Sequence, residues 1–420
     1  MELKNKENIF FLLFLFLPIS IIVGSTISLA NLIIIEIFFL IILISKRDYV
    51  FINNSAVKLL ILLYLYLIFN SFISLDYSIG LARNIGFIRI ILLFIFINYF
   101  FFYIKNNKKI FDYWCILFLI FIFDVFIEFF FGTNLFGWGA IEKNGVSQPY
   151  GTRIVGFFKD EPVAGAFISG FILFLFGHLL IKYKEKKIIP LFFIIIGFIG
   201  LLITGERANT IKILFGILIF FFLIDFIKFK TKALILIVFS LIFSIFINQS
   251  DYLKNRYIGQ VYNKINSLDN LKNLSDQIIY FELYKSGFSV FKNYPLFGVG
   301  NKNYRIETCT DSPKKNKTNY LCNTHPHQIY FEILAEHGFV GSIILLGILF
   351  LLMFKILKNI INSKNYIQIG TFIYVLINFI PLIPGGAFFS DFNSNLFWIN
   401  FSIMFAISSK TNIFARQIRT

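Results

Sequence analysis

Charge is scarce in this chain. Of 420 residues only 15% are charged, against roughly 25% in an ordinary soluble domain. Cysteine is rarer still, with three residues in all. No CxxC pair is present, and two cysteines with His325 and His327 nearby make an odd ligand set for zinc. Repeats with a period of 20–50 residues are missing, so a solenoid is excluded. Low complexity is confined to runs of Phe, Ile and Leu. So few charges exclude a soluble enzyme, and they exclude a nucleic-acid binder despite a net charge of +16.

What is abundant is apolar: 57% of residues are hydrophobic, 59 are Phe, and the mean hydropathy is +0.76. A membrane-spanning helix takes about 20 apolar residues. Apolar runs fall at about 9–27, 29–45, 56–75, 84–104, 111–131, 163–181, 188–204, 210–227, 233–248, 339–357, 366–384 and 394–409. The expected fold is an all-α polytopic membrane protein of about 12 transmembrane helices, with a large external loop holding short helices. Lys and Arg collect at every second gap: Lys46-Arg47, Lys105 with Lys108-Lys109, Lys182 to Lys187, Lys228 to Lys232, Lys355 to Lys364, and Lys410, Arg416 and Arg419. Such clusters mark the cytoplasmic side and put both termini there. Lys4 to Ala30 has a basic start and ends in Ser28-Leu29-Ala30, like a signal peptide. Its apolar core exceeds the usual 7–15 residues and a second span follows at once, so it reads as a retained helix.

Residues 1–131 then hold helices 1–5, residues 132–410 hold helices 6–12 with an external loop at 249–338, and 411–420 form a cytoplasmic tail. Segments 76–83, 132–162, 205–209, 249–338 and 385–393 face outward. Loops this long usually carry function or disorder. Segment 132–162 is glycine-rich. Ser275-Asp276 resembles a helix start, and Gln277 to Asn293 reads as a helix on or near the outer membrane surface. Cys309 and Cys322 share the long loop; an oxidising compartment permits a disulfide worth roughly 3 kcal/mol in the chain-entropy model, the alternative being two free thiols. Cys115 lies within a span as a small apolar residue.

Two local patterns carry chemistry. Pro326 suits a helical first turn and Gly338 a C-terminal cap, which places His327 in the first turn of a short helix. The positive helix end disfavours a second proton on the imidazole, leaving the neutral ring that a general base needs. The plain alternative is a surface histidine, and His325 and His337 carry no more than that; His178 lies at the cytoplasmic end of a span. The second pattern is arginine near the outer face: Arg153, Arg207, Arg83 and Arg305, with Arg89 inside a span near its outer end. Guanidinium groups bind phosphate in bidentate fashion, and several on one face point to a diphosphate at the membrane surface. The other reading pairs them with Glu206, Asp160 and Glu161, or with lipid headgroups.

These residues resemble the O-antigen ligase and O-antigen polymerase superfamily of bacterial envelope glycosyltransferases. Ligases of that family carry His, then Asn, Ser or Gln, nine residues, and Gly-x-x with a small or aromatic residue. His327-Gln328, Ile329 to His337 and Gly338-Phe339-Val340-Gly341 fit that spacing. Arg153-x-x-Gly156-Phe157-Phe158-Lys159-Asp160-Glu161 is similar to the family's arginine segment before a span, and Thr204-Gly205-Glu206-Arg207 to its second arginine turn. Asn293-Tyr294-Pro295-Leu296-Phe297-Gly298-Val299-Gly300 resembles the segment entering the histidine region.

The resemblance covers roughly 150–345 and implies a catalytic region within 132–410. It implies an undecaprenyl-diphosphate-linked glycan as donor and lipid A–core or a lipid-linked repeat unit as acceptor. The setting it implies is the periplasmic face of the bacterial inner membrane. Arg153 and Arg207, with Arg305 as a third candidate, would grip the diphosphate. His327 would take the acceptor proton, with Glu161, Glu206 and Gln328 supporting. No metal or cofactor is expected, since arginine supplies the positive charge and the outer loops lack an Asp-x-Asp pair. Membrane lipids are the other expected partner, and nucleic acid is not one. The motifs do not separate ligase from polymerase; the histidine spacing favours ligase. A transporter would instead place ionisable residues deep in the spans and show repeat symmetry. Asp124 and Glu128 are the main deep charges in this reading.

Overall fold

The computed structural model describes all residues except 1, 48, 106, 140–152, 160, 226–228, 260–278, 311–318 and 416–420. Among the described residues it is helical without strands. The helices are α1 (Glu2–Leu15), α2 (Leu17–Val23), α3 (Ser25–Lys46), α4 (Ser55–Phe72), α5 (Tyr77–Gly86), α6 (Ile88–Tyr103), α7 (Lys109–Phe131) and α8 (Ala164–Lys182). They continue with α9 (Ile188–Ile203), α10 (Arg207–Leu223), α11 (Phe229–Gln249), α12 (Ile279–Asn293), α13 (Tyr304–Cys309), α14 (Ile329–Ser363), α15 (Tyr366–Ile377) and α16 (Asp391–Ala406).

Among the described residues six stretches are long and apolar enough to cross a membrane: α3, α4, α5 with α6, α7, α8 and α14. The expectation of twelve is larger. Of the other expected runs, 9–27 is split between α1 and α2, and 233–248 falls on α11. The remaining four hold short helices: α9 has 16 residues, α10 has 17, α15 has 12 and α16 has 16. Each coincides with an expected apolar run but falls under the roughly 20 residues of a full span. Large apolar side chains face outward on several helices, Phe123 on α7 and Phe222 on α10 among them. Such a surface suits lipid rather than water.

At the centre stands α8, which packs on α9, α10, α15 and α16. Lipid is as apolar as these helices, so their association depends on close packing. A Cβ on Gly177 would overlap the Tyr366 carbonyl, and one on Gly370 would sit 2.5 Å from the Leu173 carbonyl oxygen. The α8 and α15 backbones therefore approach as only glycine permits. Trp114 of α7 ties in α1 by donating to the Leu15 carbonyl (3.2 Å). Asn412 donates to the Asn98 carbonyl on α6 (2.8 Å), and Ile413 and Phe414 are buried. The start of the expected C-terminal tail is thus part of the packed bundle.

The histidine-side helix also differs from expectation. Gln328, not a residue further back, is the N-cap of α14: its Oε1 accepts from Tyr330 N (2.8 Å) and Phe331 N (3.3 Å). His327 therefore precedes the helix instead of sitting in its first turn. At Gly338 the helix does not end; it breaks (φ 64°, ψ −165°) and continues to Ser363. A break strands backbone groups that must find partners. Segment 295–300 supplies them. Phe339 N donates to Pro295 O (2.8 Å) and Val340 N to Leu296 O (3.0 Å), while Val299 N and Gly300 N donate to Ala335 O (3.0 Å) and Glu336 O (2.9 Å).

That segment is held from its other side by α4 and α5. Leu75 N donates to Val299 O (3.0 Å), Asn301 N to Asn70 Oδ1 (3.0 Å) and Asn301 Nδ2 to Asn84 Oδ1 (2.6 Å). α12 packs on α14, and a Cys309–Cys322 disulfide (Cα–Cα 4.6 Å) closes the loop behind α13. The expected helix start at Ser275-Asp276 lies outside the described residues.

At Gly338 a Cβ would lie 2.5 Å from the Leu296 carbonyl carbon and oxygen, in a left-handed backbone. Gly338→Ala should destabilise the protein by at least about 2 kcal/mol. Thermal unfolding of the purified protein in detergent checks this, and an unchanged midpoint would remove the break from its assigned role.

Candidate active site

Three chain segments meet beside the start of α8. Ile154 N donates to Thr204 O (3.3 Å), bringing the Arg153 segment against the turn before α10. A short helical turn, Asp251–Lys254, and a π turn, Asn255–Gly259, follow α11 and dock on the same turn. There Tyr252 Oη donates to Thr204 O (3.2 Å), Arg256 Nε to Gly205 O (3.0 Å) and Tyr257 Oη to Leu202 O (2.9 Å). Arg207 Nη1 reaches the Arg256 carbonyl (3.3 Å). Arg153, Arg207 and Arg256 thereby face one cavity of 880 Å³.

Buried carboxylates build this arrangement by accepting backbone N–H groups. Glu128 of α7 takes Val155 N (3.1 Å) and Gly156 N (2.6 Å), fixing the chain just past Arg153. Asp124 takes Leu135 N (2.9 Å) in the same way. Glu206 lines the cavity but is occupied: Oε1 accepts from Gly165 N (2.6 Å) in the first turn of α8, and Oε2 from Asn209 Nδ2 (2.7 Å). Its carboxylate satisfies an orphan donor at a positive helix end. Burial still pushes its pKa up from 4.5 to about 7, with those hydrogen bonds and the Arg153 charge opposing.

His327 forms the opposite wall. Its carbonyl accepts from Gly385 N (2.8 Å), so segment 382–386 closes the cavity beside it. The backbone is left-handed there (φ 58°), an uncommon conformation for a non-glycine residue that clusters at functional sites. Tyr280 of α12 meets the imidazole edge-on (centroids 6.0 Å apart), and the His325 ring lies 4.0 Å from it. Burial holds the His327 pKa below the usual imidazole range, against a hydrogen bond from the ring to the Gly385 backbone carbonyl that raises it. Desolvation is what disfavours a proton on the ring, because His327 lies outside the helix whose end was to supply that effect. His325 is pushed lower, to about 4, chiefly by burial.

Of the residues anticipated from sequence, Arg153, Glu206, Arg207 and His327 line the cavity. Gln328 lies directly beneath as the α14 cap. Arg305, on α13, is exposed and does not line it, and neither does exposed Glu161. Arg83 and Arg89 are turned elsewhere: both pair with Asp391 at the start of α16. His178 pairs with Asp112 (2.7 Å). His337 is fully buried between Tyr66 and Phe389. Asp160 lies outside the described residues.

Two cations on the cavity were missed. Arg256 follows the span at 233–248 by only a few residues, and nothing local marks it; its flanking Tyr252 and Tyr257 are the one hint. Lys212 did carry a signal. A lysine inside the apolar run 210–227 is an intramembrane cation, which by itself marks a functional position.

Glu206 binds its proton more tightly in the folded state. The associated stability is complete below about pH 4.5 and is lost as pH rises toward about 7, by about 3 kcal/mol at 1.36 kcal/mol per unit. Glu206→Gln stays neutral, with Asn209 able to turn its amide and accept. The midpoint of thermal unfolding should fall from pH 5 to pH 8 in the parent and fall less in the variant; equal slopes would refute the assignment.

Residues 190–346 match the family described as O-antigen ligase. No curated protein matches the chain.

Proposed function

We propose that this chain, whose residues 190–346 match the O-antigen ligase family, acts as a member of the O-antigen ligase and polymerase superfamily, its cavity transferring a glycan from an undecaprenyl-diphosphate carrier to a hydroxyl of lipid A–core at the periplasmic face of the inner membrane. The observation that carries this reading is the facing of Arg153, Arg207 and Arg256 with a neutral His327 across one cavity. The acceptor oxygen attacks the anomeric carbon as the bond from that carbon to the diphosphate oxygen breaks. His327 takes the hydroxyl proton, and attack from the side opposite the diphosphate inverts the carbon. Charge gathers on the departing diphosphate, where preorganised guanidinium groups stabilise it most.

Rigidity of those groups matters as much as their charge. Arg256 is tied to the Gly205 carbonyl and Arg207 to the Arg256 carbonyl. A cation whose position is already set needs no reorganisation as charge develops. Apolar side chains of α15, α16 and segment 382–388 continue the cavity wall, among them Ile377, Ile383, Phe388 and Phe397. They suit the first isoprene units of the carrier. Arg256 takes the place that the sequence suggests for Arg305.

His327→Ala, folded as judged by its unfolding midpoint, should transfer glycan at under about a tenth of the parent rate. Arg256→Ala should lose about tenfold or more, and Arg305→Ala should stay near the parent. Residual activity of His327→Ala above that tenth would sink the general-base role. Since protonated imidazole cannot accept a proton, the acid limb of the pH–rate profile should fall below the ordinary imidazole value of 6.5. In a strain lacking the protein, bare core with polymerised glycan left on its carrier supports the ligase reading. Core bearing a single repeat unit assigns polymerase instead.

A further inference from the structure

The cavity holds more positive charge than a lipid diphosphate can neutralise. Arg153, Arg207, Arg256 and Lys212 line it, and among the described residues Glu206 is its one acidic side chain. A diphosphate esterified at both ends carries two negative charges, so at least one cation is left over. Lys212 is that cation by position. The three arginines belong to the knitted turns at 153–156, 204–207 and 252–257. Lys212 lies on α10, about 7.5 Å further along the axis than Arg207.

Lys212 is only 7% exposed. No hydrogen bond or ion pair to it is found among the described residues. Two other polar side chains on the cavity are engaged elsewhere: Asn393 Nδ2 donates to Ala387 O (3.2 Å) and to Ser390 Oγ (2.9 Å), and Ser169 Oγ donates to Gly165 O (2.8 Å). A buried ammonium without a counter-charge is strongly destabilised and persists where a ligand supplies the anion. The direction is also defined. Nζ would lie 3.4 Å from a Cβ placed on Gly385, the residue whose N–H donates to the His327 carbonyl. Its charge therefore falls beside the segment bonded to His327, on the side of the cavity where the sugar bonded to the diphosphate would sit.

We infer that Lys212 pairs with a carboxylate on the transferred glycan, so that the donor's first sugar is an acidic one of the uronic-acid class. This deepens the glycan-transfer reading and rests on it. Lysine suits such a contact, because a compact charge on a flexible stem reaches a single carboxylate through an otherwise apolar wall, where a planar fork is not needed.

Full-length protein in nanodiscs is given two synthetic donors with the same short-prenyl diphosphate. One begins with glucuronate, the other with glucose. Binding is read from the shift in thermal unfolding across a donor titration, and transfer from kcat/KM. The parent should favour the glucuronate donor by about tenfold or more. Lys212→Met should erase that preference by weakening the glucuronate donor alone, and Lys212→Arg should restore part of it. Equal handling of both donors by the parent overturns the inference while leaving glycan transfer intact, and this comparison needs no variant to fold. An equal fold-loss on both donors in Lys212→Met also overturns it, by returning Lys212 to the diphosphate. A parent that binds neither donor overturns the transfer reading and this inference with it.

Discussion

The break at Gly338 joins the outer part of the molecule to its helical bundle. A helix interrupted inside a packed protein must find partners for the groups it frees, and the cost of leaving them unpaired exceeds the gain from any single contact nearby. Segment 295–300 meets that demand with four backbone hydrogen bonds and is itself pinned by Asn70, Asn84 and Leu75. The direction of α14 on either side of the break follows. So does the placement of Gln328 and of His327 just ahead of it, because the residues before the break have their register set by the same bonds. His327, just ahead of the helix so placed, lines the cavity.

The opposite wall obeys a different rule. Three arginines crowded together repel, yet backbone carbonyls and hydroxyls hold the chain that carries them more than carboxylates do. Glu128 holds the chain near Arg153 through the N–H groups of Val155 and Gly156, and Glu206 is committed to α8 and Asn209. Carboxylates engaged with backbone donors leave the positive field of the cavity largely uncancelled. That field would be wasteful in a structural element and suits a site for an anion. The same observation weakens a transport reading, since Asp124 and Glu128 serve as anchors for backbone rather than as a relay through the bundle.

At His327 the structure replaces one physical cause by another. Its neutrality is anticipated from the positive end of a helix, but Gln328 is the cap and the imidazole lies outside the helix altogether. Burial among Tyr280, His325 and segment 382–386 shifts the ring in the same direction. The distinction is chemical. A helix end acts on whatever approaches it, whereas desolvation depends on the cavity remaining closed. The basicity of His327 is therefore tied to how the 382–386 segment sits over it.

The amino-acid sequence by itself determined the class of the molecule and the place of nearly every apolar helix, because helix formation in an apolar medium depends on local composition. It also marked His327, Arg153 and Arg207, whose neighbours within a few positions signal a turn, a cap or a helix start. Only the tertiary structure decided which charges share a space. Arg256 enters the cavity through contacts with a turn 49 to 51 residues away. Arg305 drops out because α13 presents it to the exterior, and Arg83 and Arg89 are claimed by Asp391, some 300 residues on. Helix bounds also depended on the fold, since hydropathy marks apolar runs but not where each helix begins and ends within them. The physical reason is common to all these cases: local propensity is written in adjacent residues, whereas pairing of charges depends on distances that only the packed chain defines.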